Sequence, residues 1–310
     1  MSGSVIPGLH HVTAISGSPQ ENVDFYVSTL GQRLVKKTVN FDNPGTYHLY
    51  YGNDAGSPGT ILTFFPFVDA GPGRAGPGMA SAVAYAVPLG RLEHWMERLA
   101  EDAIDFDGPQ ERLGEQFISL TDPHGLRIEL IEPRDAGPSE LNDVGLHSVT
   151  LWLDEIDAKA RLITDHFGYE QTGHERDETG ERVRFQSPGH GRGSCIDIVV
   201  SEAASIGRQG AGSIHHVAFR AETDAIQKEW QQRLRSAGFD VTPVIDRQYF
   251  NAIYFQSPGG VLFEIATDPP GFAHDESTET MGSNLMLPPQ HEDRRARIEQ
   301  ILPPITVPTI

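Results

Sequence analysis

The sequence predicts an α+β fold in which one strand–helix–hairpin unit is used four times. Two observations carry this prediction. Strand-like segments of matching composition open at four places: GLHHVTAIS at Gly8, MASAVAYAV at Met79, GLHSVTLWL at Gly145 and SIHHVAFRA at Ser213. Each is followed by a helical stretch and then by short apolar runs that close in a hairpin, the mark of a repeated supersecondary unit.

The elements follow in order. Unit one, residues 8–66, continues through helical ENVDFYVSTL and closes with YHLYYG and GTILTFFPF. Unit two, 79–132, has the helix RLEHWMERLA and closes with FISLTDPHGLRIELIEP. Unit three, 145–200, has IDAKARLITDHFG, then RVRFQSP and SCIDIVV. Unit four, 213–267, has AIQKEWQQRLRSAGF and ends in NAIYFQSPGGVLFEIATD. Its helix carries Ile226, Trp230 and Leu234 on one stripe, and Gly238 stands where a left-handed cap ends a helix. Gly/Pro-rich connections at 66–78, 133–142 and 201–212 have loop composition. Residues 268–310 form a Pro-rich tail with one charged helical patch, HEDRRARIEQIL.

A chain of 310 residues has room for two domains of ordinary size, and its net charge of -19 argues against a partner in nucleic acid or anionic membrane. No apolar run reaches the ~18 residues of a membrane span. The N-terminal MSGSVIPGLHHVTAI lacks a basic start followed by an apolar core, so no signal peptide is expected. The single cysteine, Cys195, sits beside Ile196 on an apolar strand and is expected to be inert core. A cytoplasmic location fits these features.

The repeated unit resembles the βαβββ module of the vicinal oxygen chelate superfamily, which includes glyoxalases, bleomycin-resistance proteins and extradiol dioxygenases. The resemblance covers residues 8–267. The tail, from DPPGFAHDES to LPPQHEDRRARIEQILPP, is similar to that of one branch, the four-module ring-cleaving dioxygenases acting on hydroquinones. It implies four modules paired into two cup-shaped mixed sheets, with a metal held in a cup.

Two inward positions recur in each module. The first strand supplies His11, Ala82, Ser148 and His216, and the last strand supplies Thr63, Glu129, Asp197 and Glu264. Modules two and three would combine Ala82, Glu129, Ser148 and Asp197, a set without an imidazole. Modules one and four would combine His11, His216 and Glu264 with Thr63. Two histidines and one carboxylate with open positions are the donor set of non-haem Fe(II) oxygenases, and Mn(II) suits the same ligands. The expected arrangement is therefore a metal cup from modules one and four, and a metal-free cup from modules two and three.

Strand alternation assigns Val217 and Phe219 to the helix side and His216 to the cup. A three-residue turn centred on Gly259 would set Tyr254 opposite Glu264. The same alternation points His10 and His215 away from the cup, whereas the resemblance implies that both bend toward substrate. It also implies that Tyr254 and His215 handle protons near the bound oxygen, and that Arg247 and His10 hold the far side of the ring. Thr13 shares the face of His11 and either lines the cup or packs. His48, His124, His147, His166, His174 and His190 have no informative spacing.

The implied function is ring cleavage of a hydroquinone-type substrate with O2; a homo-oligomer is left open. Two alternatives share the fold. A glyoxalase-like isomerase usually fills all four slots with ligands, which Thr63 does not. A bleomycin-resistance-like binder lacks a metal triad, which His11, His216 and Glu264 form.

Overall fold

The structure, a computed structural model, describes residues 4–134, 145–178, 180–189, 191–202 and 206–308. Most of the 133–142 connection and His190 lie outside these residues. Among the described residues, no helix is long and apolar enough to cross a membrane.

The first segment folds as β1 (Leu9–Ser16), α1 (Pro19–Val23), β2 (Arg33–Val39), β3 (Tyr47–Gly52) and β4 (Ile61–Pro66). The second gives β5 (Met79–Ala86), α2 (Leu92–Glu101), β6 (Phe106–Arg112), β7 (Glu115–Thr121) and β8 (Arg127–Glu132). The third gives β9 (Gly145–Trp152), α3 (Asp157–Arg161), β10 (Glu170–Asp177), β11 (Gly180–Gln186) and β12 (Cys195–Val200). The fourth gives β13 (Ile214–Ala221), α4 (Asp224–Ser236), β14 (Ile245–Asp246), β15 (Phe250–Gln256) and β16 (Leu262–Pro270).

Local chemistry sets these elements. Ser18 caps α1, accepting from the Glu21 amide at 3.3 Å, with Pro19 in the first turn. Thr223 caps α4 in the same way. Gly238 follows α4 at φ 93°, the left-handed region that favours glycine. Both α1 and α3 widen into a π-type turn, Asp24–Thr29 and Leu162–His166, rather than ending. Strands β2, β6 and β10 had no separate place in the sequence reading. The last two present mostly exposed polar residues, so an apolar alternation does not mark them.

Two eight-stranded sheets result. One has the order β14-β15-β16-β13-β1-β4-β3-β2 and the other β10-β11-β12-β9-β5-β8-β7-β6. The first sheet thus joins the first and fourth segments, and the second joins the middle two. At each centre two opening strands run antiparallel, β1 with β13 and β5 with β9, and each opening strand runs parallel to its own last strand.

The register makes the four segments equivalent. Thr63 pairs with Thr13, Glu129 with Ala84, Asp197 with Thr150 and Glu264 with Ala218, each two residues after the inward position on its opening strand. One apolar core, holding Val12, Tyr26, Phe64, Phe167, Val217, Phe219 and Trp230 among others, runs behind both sheets. Cys195 is buried and its thiol is pushed up to about 12 by that burial, which leaves it unreactive.

The tail binds across the first sheet. Lys36 is fully buried, and its ammonium donates to Asp275 and Glu276 at 2.6 Å each. Further along, the Met286 amide donates to the Lys37 carbonyl at 2.9 Å, and His291 Nε2 donates to the Phe41 carbonyl at 3.0 Å.

Candidate metal centre and active site

His11 on β1, His216 on β13 and Glu264 on β16 are 1%, 5% and 0% exposed, and their ligand atoms lie within 4.8 Å of one another. His216 Nε2 stands 2.9 Å from Glu264 Oε2, and His11 Nε2 stands 3.6 Å from the same oxygen. Neither Glu264 oxygen has a hydrogen-bond partner, although both are buried. A buried carboxylate without a partner is costly, and a divalent cation between it and the two imidazoles removes that cost. The donor set fits a divalent transition metal with open positions.

A distortion in the central strand pair orients the imidazoles. Leu9 pairs with Phe219 but His11 pairs with Ala218, which leaves His10 as an extra residue on β1. Thr13 pairs with His216 but Ala14 pairs with Ile214, which leaves His215 extra on β13. Each histidine next to a ligand is therefore a β-bulge residue, and a bulge re-aims a side chain out of strict alternation. His10 Nδ1 lies 2.9 Å from His11 Nδ1, and His215 Nδ1 lies 2.8 Å from His216 Nδ1. An imidazole that ligated a metal through Nε2 would carry its proton on Nδ1, and His11 would then donate to His10 and His216 to His215.

Burial pulls His10 and His215 down to about 4, which favours neutral rings able to accept such a bond. Burial, followed by the neighbouring His10, His216 and His48, also holds His11 well below the usual histidine range.

A cavity of about 340 Å³ opens beside these three residues. His215, Arg247 and Tyr254 line it. Tyr254 pairs directly with Glu264 across β15 and β16, on a hairpin whose loop is Pro258–Gly260. Burial and then the Glu264 charge push the Tyr254 phenol far up, so it keeps its proton. Arg247 Nε donates to Tyr254 Oη at 3.3 Å, and Nη1 donates to Asp42 Oδ2 at 3.2 Å.

His10 and Thr13 do not line the cavity. The His10 ring is backed by Phe250, with centroids 5.2 Å apart, and bonds to the Thr267 backbone. That places it behind His11, because its bulge turns it onto that ring. Thr13 Oγ1 is bonded to Thr63 Oγ1 at 3.0 Å.

Residues without a role in the sequence reading complete the wall. His48 Nε2 lies 2.8 Å from Thr63 Oγ1 and its Nδ1 lies 2.8 Å from Tyr50 Oη, so the fourth inward position is tied off by hydrogen bonds. Burial, with His216 next in weight, keeps His48 well below the usual histidine range. Alternation along YHLYYG would have placed His48 and Tyr50 on one face, and Tyr50 pairs with Thr63. The 40–46 loop contributes Phe41 and Asp42.

The corresponding region of the second sheet is filled by charge pairs. Glu129 accepts from Arg112 at 2.5 and 3.1 Å, and Asp197 accepts from Arg184 at 2.7 and 3.0 Å and from Arg182 at 2.9 Å. Arg184 also bonds Glu115. His147 is the bulge residue of β9, but its Nδ1 meets the Ser148 hydroxyl, not an imidazole. Among the described residues, only His11, His216 and Glu264 form a cluster able to hold a metal.

The chain matches the model of the Glyoxalase/Bleomycin resistance protein/Dioxygenase superfamily over residues 8–130 and 145–265. It is 48% identical over 310 residues to the protein named "Putative ring-cleaving dioxygenase MhqO" of Bacillus subtilis (strain 168), covering 97% of each chain. It is 37% identical over 303 residues to chlorohydroquinone/hydroquinone 1,2-dioxygenase of Sphingobium indicum, covering 93% of each. A crystal structure of a protein from Bacillus subtilis subsp. subtilis str. 168, also named as a dioxygenase, superposes with a TM-score of 0.91 at 46% identity over 100% of both chains. The chain belongs to the glyoxalase/bleomycin resistance protein/dioxygenase superfamily, in the same full-length family as these relatives.

Proposed function

We propose that the protein is an Fe(II)- and O2-dependent ring-cleaving dioxygenase acting on hydroquinone-type aromatic substrates, with His11, His216 and Glu264 as metal ligands. One observation carries the reading. Two imidazole Nε2 atoms and an unpartnered carboxylate converge on a cavity whose fourth inward position, Thr63, is already bonded to Thr13 and His48. Mn(II) accepts the same donors. When bound, such an ion supplies neighbouring positions for a substrate hydroxyl and O2 and lowers the pKa of that hydroxyl. The name of one relative, chlorohydroquinone/hydroquinone 1,2-dioxygenase, supports a hydroquinone ring as the substrate class.

The protein's own groups then have distinct tasks. His10 and His215 accept from the ligand imidazoles, fixing which nitrogen faces the cavity and strengthening its basicity. Since His215 accepts at Nδ1, its proton is on Nε2, where it is a donor on the cavity wall. The Tyr254 oxygen accepts from Arg247, which leaves the phenol proton directed toward Glu264 and the bound hydroxyl. Phe65 and Phe250 stand against His215 and His11 and exclude water from the ring face.

The test is anaerobic loading with Fe(II), addition of hydroquinone or chlorohydroquinone, and measurement of O2 uptake on admitting air. Uptake coupled to loss of the ring absorbance is expected. Iron-loaded protein that consumes no O2 with either ring would end this reading.

A further inference from the structure

Arg247 is the only guanidinium or ammonium group among the described residues that line the cavity, and it is already engaged. Its Nε is turned to Tyr254 and its outer Nη1 to Asp42. The cavity imidazoles of His48 and His215 are held by neighbouring groups. His215 Nδ1 is engaged with His216 Nδ1 at 2.8 Å, and both ring nitrogens of His48 meet hydroxyl groups. A substituent on a ring in this cavity therefore meets an arginine already bonded to Asp42, and the lining also includes the apolar Phe41, Phe67 and Leu262.

The position of Asp42 does not depend on the ion pair. Asn40 Oδ1 accepts from the Asp42 amide at 2.9 Å and from the Asn43 amide at 3.1 Å, an Asx turn that shapes the loop. On the outer side, His291 of the tail donates to the Phe41 carbonyl at 3.0 Å. The Asp42 side chain is 80% exposed, so the pair contributes little to stability. Its location at the mouth, opposite the only cavity arginine, bears on what enters.

We propose that Asp42 is a specificity-determining residue. By occupying the outer edge of Arg247, it confines the site to hydroquinones with uncharged substituents and rejects rings that carry a carboxylate. A ring carboxylate would otherwise be the natural bidentate partner of this guanidinium. With Asp42 present, it has either to displace one carboxylate from Arg247 or to be desolvated beside it, and a halogen or alkyl group incurs neither cost. This inference rests on the ring-cleavage reading above.

The experiment compares chlorohydroquinone with 2,5-dihydroxybenzoate, which differ in the charge of one ring substituent. Affinity is measured by anaerobic calorimetry on Fe(II)-loaded protein, and turnover by O2 uptake, for the native chain and for Asp42→Asn and Asp42→Glu. The native protein is expected to favour chlorohydroquinone by at least about tenfold. Asp42→Asn narrows that ratio by about tenfold, chiefly through tighter binding of the carboxylated ring, and Asp42→Glu restores it. A native protein that binds both rings equally, or a ratio that Asp42→Asn leaves unchanged, overturns the role of Asp42 while ring cleavage stands. Absence of O2 uptake with every ring overturns ring cleavage and this inference with it.

Discussion

Glu264 is fully buried, and among the described residues its oxygens face the His11 and His216 imidazoles, with the Tyr254 phenol alongside. It is accordingly the residue whose chemistry depends most on a cation. Glu264→Gln keeps the shape and removes the charge, and we expect metal content after dialysis to fall by at least about tenfold in affinity terms. Metal retained at native stoichiometry would show that the carboxylate is not a ligand. Tyr254 poses a separate question, because its phenol lines the cavity beside Glu264 and, on the proposed reading, is not a ligand. Tyr254→Phe is expected to keep the metal and to lower kcat by about 10²-fold, the scale of a lost proton donor. An unchanged kcat would assign Tyr254 to packing.

At the scale of elements, two devices position the site. The paired bulges at His10 and His215 let a strand present two consecutive histidines to one place, which regular alternation forbids. The sequence showed the HH pairs, but its parity rule sent one histidine of each pair away from the cup. A bulge is a property of two strands in register, and one strand read alone does not reveal it. The second device is the tail, tied to β2 through the buried Lys36 between Asp275 and Glu276. Lys36→Met leaves two carboxylates in a closed region without their cation, an arrangement that costs ~3–5 kcal/mol. A drop of several degrees in Tm is the expected result, and an unchanged Tm would show that the tail contributes no stability to the first sheet.

The whole molecule couples folding to protonation through its buried histidines. His10 and His215 are held at about 4, and His11 and His48 are also depressed, whereas histidine in an unfolded chain titrates near 6.5. Between those values the unfolded chain binds more protons, so stability rises with pH through that window. For chelator-treated protein, the contribution is complete above about pH 6.5 and is lost as pH falls toward about 4. Denaturant unfolding at pH 7.5 and pH 5 measures it, and equal stabilities at the two would contradict the buried neutral rings. The second sheet is expected to resist longer. Its Glu115 is held down to about 2 by His147 and Arg184 against the opposing effect of burial, so that charge survives to lower pH than the histidine contribution.

The sequence by itself determined the repeat, the donor types and their equivalence between segments, because composition and spacing are local and survive in each copy. It therefore yielded His11, His216, Glu264 and the facing Tyr254. Tertiary structure decided what those residues meet. It closed the Thr63 position with Thr13 and His48, moved His10 behind a ligand, paired Arg247 with a loop some 200 residues earlier in the chain, and filled the second sheet with arginines around Glu129 and Asp197. These are contacts between strands and loops far apart in sequence. The long-range pairing of β1 with β13 brings them together, and no local pattern encodes which charge will face which. The same pairing turns two histidines and a carboxylate into one candidate metal centre.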